Sequence, residues 1–139
     1  MSFLAKLSTA VVLVMIISTQ ASFAQEVASD YLGRWSQVHS NAGRCDRCEI
    51  IISGSPPLLS VKSNNGWTAQ VRLAGHGSST MLQGGGKWSS NLKGSLRGHD
   101  FSTSFSLRSG ELYLIMTMSE PTARPRVVKG IFRREWLGS

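Results

Sequence analysis

The sequence has no apolar run long enough to cross a bilayer. Its longest, Leu7 to Ile17, covers 11 residues, whereas a spanning helix needs about 20. It is also poor in cysteine, with two, and in histidine, with three. That scarcity excludes a disulfide-rich scaffold and leaves little material for a four-ligand zinc site. Proline is confined to Pro56, Pro57, Pro121 and Pro125, so long stretches are free to pair as strands. Acidic residues are few, 8 Asp and Glu against 15 Lys and Arg. The function classes that depend on clustered carboxylates lose support accordingly.

The short apolar run follows Lys6 and leads into Ser18–Ala24, with small residues at Ser22 and Ala24. This is the layout of an export signal, and it places cleavage between Ala24 and Gln25. The expected organisation is therefore a signal peptide over 1–24 and one domain over 25–139, in a periplasmic or secreted protein. Removing Lys6 from the 15 basic residues leaves 14 against 8 acids, a formal +6 on the mature domain. Ten of the 14 are arginines, dispersed along the chain. The expected partners are anionic: a glycan, a lipid surface or an acidic protein. Export argues against nucleic acid.

Fourteen glycines, serine clusters and period-two alternation point to strands. In Asp100–Leu107, Phe101, Thr103, Phe105 and Leu107 share one face. In Trp67–Leu73, Trp67, Ala69, Val71 and Leu73 do so. Glu49–Ser53 and Glu111–Met118 are nearly continuously apolar, as expected of strands covered on both faces. Turn signals at short intervals delimit strands at 32–38, 48–53, 58–63, 67–73, 78–83, 87–96, 100–107 and 111–118, with a closing segment at 126–135. The fold class is all-β, a small antiparallel up-and-down barrel of about eight strands, with a β-sandwich as the alternative. Ser119–Pro125 is expected to be the longest exposed loop.

Leu32-Gly33-Arg34-Trp35, opening the first strand, resembles the Gly-x-Trp start of calycin-type barrels, which include lipocalins, avidins and a family of bacterial metalloprotease inhibitors. The resemblance implies that Trp35 closes one barrel end against an arginine of the last strand, Arg133 or Arg134. Such a guanidinium–indole contact contributes roughly 0.5 to 2 kcal/mol. Cys48-Glu49-Ile50-Ile51 is similar to the second strand of the inhibitors, although the only possible partner here is Cys45, three residues away. The resemblance implies an alternative function, inhibition of an extracytoplasmic protease or lysozyme, with Gln25–Asp30 or Ser119–Pro125 as the blocking segments.

No spacing in the chain matches a known chemistry. Cys45-Asp46-Arg47-Cys48 reads as a disulfide in an exported protein. A redox pair would sit at a helix start, whereas this motif leads into strand residues. Glu49 occupies the position where haem attachment needs histidine. Gly84-Gly85-Gly86-Lys87 is followed by Trp88 where a phosphate loop needs Ser or Thr, so it reads as a glycine-rich hairpin. Candidate binding residues are Trp67, Trp88 and Tyr113, for stacking or lining a cavity, with Arg72, Arg124 and Arg126. The expectation is a non-enzymatic binding protein with no cofactor and no metal, its partner an anionic surface or protein in preference to a small apolar ligand.

Overall fold

The computed structural model describes residues 24–120 and 124–135; most of the expected export signal lies outside them. Eight strands form one closed antiparallel barrel in simple sequence order. They are β1 (Gly33–Ser40), β2 (Glu49–Ser55), β3 (Leu58–Ser63), β4 (Trp67–Ala74), β5 (Met81–Trp88), β6 (Asp100–Arg108), β7 (Glu111–Met118) and β8 (Arg126–Arg134). β8 returns to β1, with Trp35 opposite Arg134 and Ser36 opposite Arg133. No strand is left with a free edge, the recurrent liability of β-proteins.

Alternation decides what fills the interior. Trp67, Ala69 and Val71 of β4 and Phe101, Thr103 and Phe105 of β6 point inward and are buried. The two nearly continuous apolar strands behave differently from expectation. Their inner sets, Ile50 with Ile52 and Leu112 with Leu114, Met116 and Met118, are buried, but Ile51 is 40% and Ile115 44% exposed. A single-layer barrel covers one face only, so these outward residues meet solvent.

The central glycines form no hairpin. Gly84, Gly85 and Gly86 lie in the middle of β5, which replaces the expected segments 78–83 and 87–96 with one strand. Gly84 stands opposite Val71 and Gly86 opposite Ala69. A Cβ at Gly84 would overlap the Gln70 carbonyl and sit 2.8 Å from Val71 Cα; at Gly86 it would meet Phe101 Cζ at 2.5 Å and Ala69 Cβ at 2.8 Å. Glycine here permits close backbone approach. Residues 90–96 fall instead in the 89–99 connection, which is longer than 119–125.

Because the strands alternate in direction, the connections alternate between two ends of the barrel. One end carries the short links after β2, β4 and β6, and it is closed. A helical turn over 24–29 folds beneath it, with Ala28 and Tyr31 buried. Tyr31 donates its hydroxyl to the Thr80 carbonyl (3.3 Å), and Trp35 donates Nε1 to the Tyr31 carbonyl (2.9 Å). The Arg134 guanidinium lies 4.3 Å over the Trp35 ring and donates to the carbonyls of Leu32 and Asp30. Gly33 adopts φ +119°, and a Cβ there would sit 3.0 Å from the Arg134 guanidinium. The Gly-x-Trp spelling thus has a local cause: glycine makes room for the arginine that covers the tryptophan.

Candidate functional site

The other end carries the connections 41–48, 64–66, 89–99 and 119–125, and beneath them the barrel holds a cavity of about 270 Å³. Its walls are mainly apolar, from Ile50, Trp67, Trp88, Leu114, Met116 and Phe132, with Leu96 reaching in from the 89–99 loop. Gln37, Ser40, Ser63 and Asn65 add polar points, Arg44 stands at the mouth, and Glu49, paired with Arg34 at 3.5 Å, is the one acid of the lining. An engineered apolar cavity of roughly 150 Å³ holds a benzene ring, so this one has room for roughly ten non-hydrogen atoms.

One wall is an aromatic cluster. Trp67 meets Trp88 and Phe101 edge to face, with ring centres 6.5 and 5.6 Å apart, and Trp88 lies 6.4 Å from Phe101. Such pairs add roughly 0.5 to 1.5 kcal/mol beyond area burial. The buried Trp88 Nε1–H finds no acceptor among the described residues. Its position is therefore set by ring packing and not by a hydrogen bond.

The mouth is held rigid by two asparagines and a disulfide. Asn41 replaces a ladder residue against β8: its amide donates to the Val127 carbonyl (3.1 Å) and its side-chain oxygen accepts from Lys129 N–H (2.8 Å). Asn64 ties the 64–66 turn to the 41–48 loop, donating to the Arg47 carbonyl (2.7 Å) and accepting from Glu49 N–H (2.9 Å). Between these anchors Cys45 and Cys48 form a disulfide with Cα atoms 5.5 Å apart. A ring of four residues contributes only about 1.9 kcal/mol on loop-entropy grounds, so its effect is local.

Charge is unequally shared between the ends. The open half carries nine of the 14 basic residues of 25–139: Arg44 and Arg47 on 41–48, Lys62 near the end of β3, Lys87 at the end of β5, Lys93 and Arg97 on 89–99, then Arg124, Arg126 and Lys129. Its acids are Asp46, Glu49, Asp100 and Glu120. The closed half holds five bases, Arg34, Arg72, Arg108, Arg133 and Arg134, against Glu26, Asp30, Glu111 and Glu135. One end is thus strongly positive and the other nearly neutral. At the open half, Arg44 pairs with Asp46 (2.8 Å), Lys87 with Asp100 (3.9 Å) and Arg126 with Glu120 (3.3 Å). Arg47, Lys62, Lys93, Arg97, Arg124 and Lys129 make no ion pair among the described residues.

The residues singled out from sequence are brought together only in part. Trp67 and Trp88 share the cavity wall, and Arg124 and Arg126 stand at the open end. Tyr113 faces outward on β7 beneath Arg108, whose guanidinium lies 5.1 Å from the ring centre. Arg72 faces outward on β4, toward the closed end. Of the two closure candidates, Arg134 covers Trp35, whereas Arg133 points out and pairs with Glu111 at 3.0 Å. In Gln25–Asp30, Ala28 is buried under the closed end, while Gln25, Glu26, Ser29 and Asp30 are exposed. Sequence reasoning did not single out Arg44 at the mouth, Gln37, Met116, Phe132 or Leu96. Met116 lies in a continuously apolar run whose sequence marks neither face as inward, and Arg44 and Leu96 sit on loops without alternation. Among the described residues no cluster of three His, Cys, Asp or Glu could hold a metal ion, and no helix is long and apolar enough to cross a membrane.

Fold and site together define a class: a closed eight-stranded antiparallel up-and-down barrel with one plugged and one basic, open end, compatible with a small calycin-like barrel. No protein-family model matches the chain, and comparison with curated proteins and with solved structures returns no match.

Proposed function

We propose that this is an exported, non-enzymatic binding protein that takes an anionic partner at the open end of its barrel. The observation that supports this is the collection of nine basic side chains around that end, six of them without an ion pair among the described residues. Charge of one sign gathered on one face raises the local concentration of an opposite partner and its rate of encounter. The disulfide suits an oxidising, extracytoplasmic compartment.

The reading is tested with a soluble polyanion, such as heparin or polyglutamate, by isothermal titration at low and high salt. Binding at low salt that weakens about tenfold or more as the screening length shrinks to a few ångströms is the expected result. No binding at low salt sinks the proposal. Mass spectrometry of the exported protein, with an N-terminus at Gln25 expected, checks the compartment.

A second reading is favoured by the cavity: a small amphiphile whose apolar part enters among Ile50, Met116 and Phe132 while its polar head stays at the mouth. Titration with decanoate, followed by tryptophan fluorescence, tests it. Val128→Phe, which fills the cavity, is expected to abolish a response that the wild-type protein shows.

A further inference from the structure

Charge and cavity lie on the same face, and their combination narrows the partner further. We propose that the open end is a docking face for an anionic lipid surface; this rests on the reading that the open end takes an anionic partner. Three observations converge on it.

The first is the distribution of the charge. The bases stand on the 41–48, 89–99 and 119–125 connections and on strand ends between them, so they surround the mouth and do not form a stripe down one side. A ring of charge at the end of a cylinder matches a broad, flat partner. A narrow polyanionic chain would engage one arc of it. The second is the character of what the ring encloses. The mouth opens onto apolar walls, Ile50, Leu114, Met116 and Phe132. A polyanion offers these walls nothing, whereas a lipid surface presents anionic headgroups together with apolar chains. The third is rigidity. Asn41, Asn64 and the Cys45–Cys48 ring hold the loop before docking, so little ordering entropy is lost on contact.

Orientation follows from the same asymmetry. Screening limits attraction to about 8 Å at physiological ionic strength, so only the face turned toward the surface is felt. The near-neutral closed half contributes little in any other orientation.

The test is co-sedimentation of the full exported chain with vesicles of equal parts phosphatidylglycerol and phosphatidylcholine, with pure phosphatidylcholine vesicles and with heparin as comparisons. Two double variants carry the same change in net charge: Lys93→Glu with Arg97→Glu at the open end, and Arg108→Glu with Arg133→Glu at the closed end. Circular dichroism confirms that each remains folded. The expected result is binding to the anionic vesicles and, more weakly, to heparin but not to pure phosphatidylcholine, a loss of about tenfold or more in vesicle binding in the open-end variant, and a change under about twofold in the closed-end variant. Equal losses in both variants overturn the proposal, because net charge and not a face would then be responsible. Binding to heparin without binding to either vesicle also overturns it while leaving the anionic-partner reading intact. Binding to none of the three removes both.

Discussion

At the scale of single residues, the two neighbouring arginines of β8 have opposite fates because period two puts one inside and one outside. Arg134 stacks on Trp35 and donates to two carbonyls of the segment that plugs the barrel. Arg133 makes one exposed ion pair. Arg134→Ala is expected to cost about 2 to 4 kcal/mol, since it removes the ring contact and strands two acceptors. Arg133→Ala is expected to stay within about 0.5 kcal/mol. Urea denaturation of both variants checks the contrast, and equal effects would show that the plug does not depend on Arg134. Tyr31, in the same plug, has its phenol pKa pushed above the ordinary 10.0, first by burial and then by the Asp30 charge, against a lowering from the Leu107 backbone. The fold therefore favours the neutral phenol. Its contribution is whole below about pH 10 and is lost as pH rises through the folded value. Unfolding free energy should fall above pH 10 more steeply in the wild-type protein than in Tyr31→Phe.

At the scale of elements, β5 decides how well the barrel closes. Its inward glycines, Gly84 and Gly86, face backbone that leaves no room for a methyl group, whereas Gly85 points outward with its nearest neighbour, the Phe101 carbonyl, at 3.3 Å from a Cβ. Gly84→Ala and Gly86→Ala are each expected to destabilise by about 3 kcal/mol or more, through overpacking against atoms that cannot yield. Gly85→Ala should be tolerated within about 1 kcal/mol; thermal melts separate the three. The same strand marks where sequence reading stopped. Strands with alternating large side chains, such as Trp67–Ala74 and Asp100–Arg108, announce themselves within one or two residues of their ends, as do the inward faces that build the core. A glycine run carries no alternation, and its meaning depends on how near β4 lies, which is a tertiary fact. Reading it as a turn had a second effect. In an up-and-down barrel each added strand reverses the end at which every later loop lies, so nine segments placed the 41–48 and 119–125 connections at opposite ends. The gathering of basic residues at one end was hidden for that reason. The cavity was hidden for another: inward aromatics at Trp67 and Trp88 are the same sequence whether the space between them is filled or open.

At the scale of the whole molecule, the barrel is built as a stable end and a costly end. The closed half balances nearly every charge and buries its plug, while the open half gathers nine basic residues against four acids. Repulsion among Arg47, Lys93, Arg97 and Arg124 opposes the compact state, since bringing like charges onto one rim raises their energy relative to the expanded chain. Salt should therefore stabilise this protein. The melting temperature is expected to rise by a few degrees as ionic strength increases from about 0.01 M to about 0.2 M, over which the screening length falls from about 30 Å to under 10 Å. Lys93→Glu with Arg97→Glu should raise stability at low salt by about 1 kcal/mol and flatten that salt dependence, at the expense of partner binding. Arg108→Glu with Arg133→Glu should do the opposite, because it removes a ring contact and sets a second carboxylate beside Glu111. Calorimetric melts of the three proteins across salt concentrations decide the matter. If the open-end variant is no more stable than wild type at low salt, the rim charges are already neutralised within the fold. They would then have no surplus with which to attract an anionic surface.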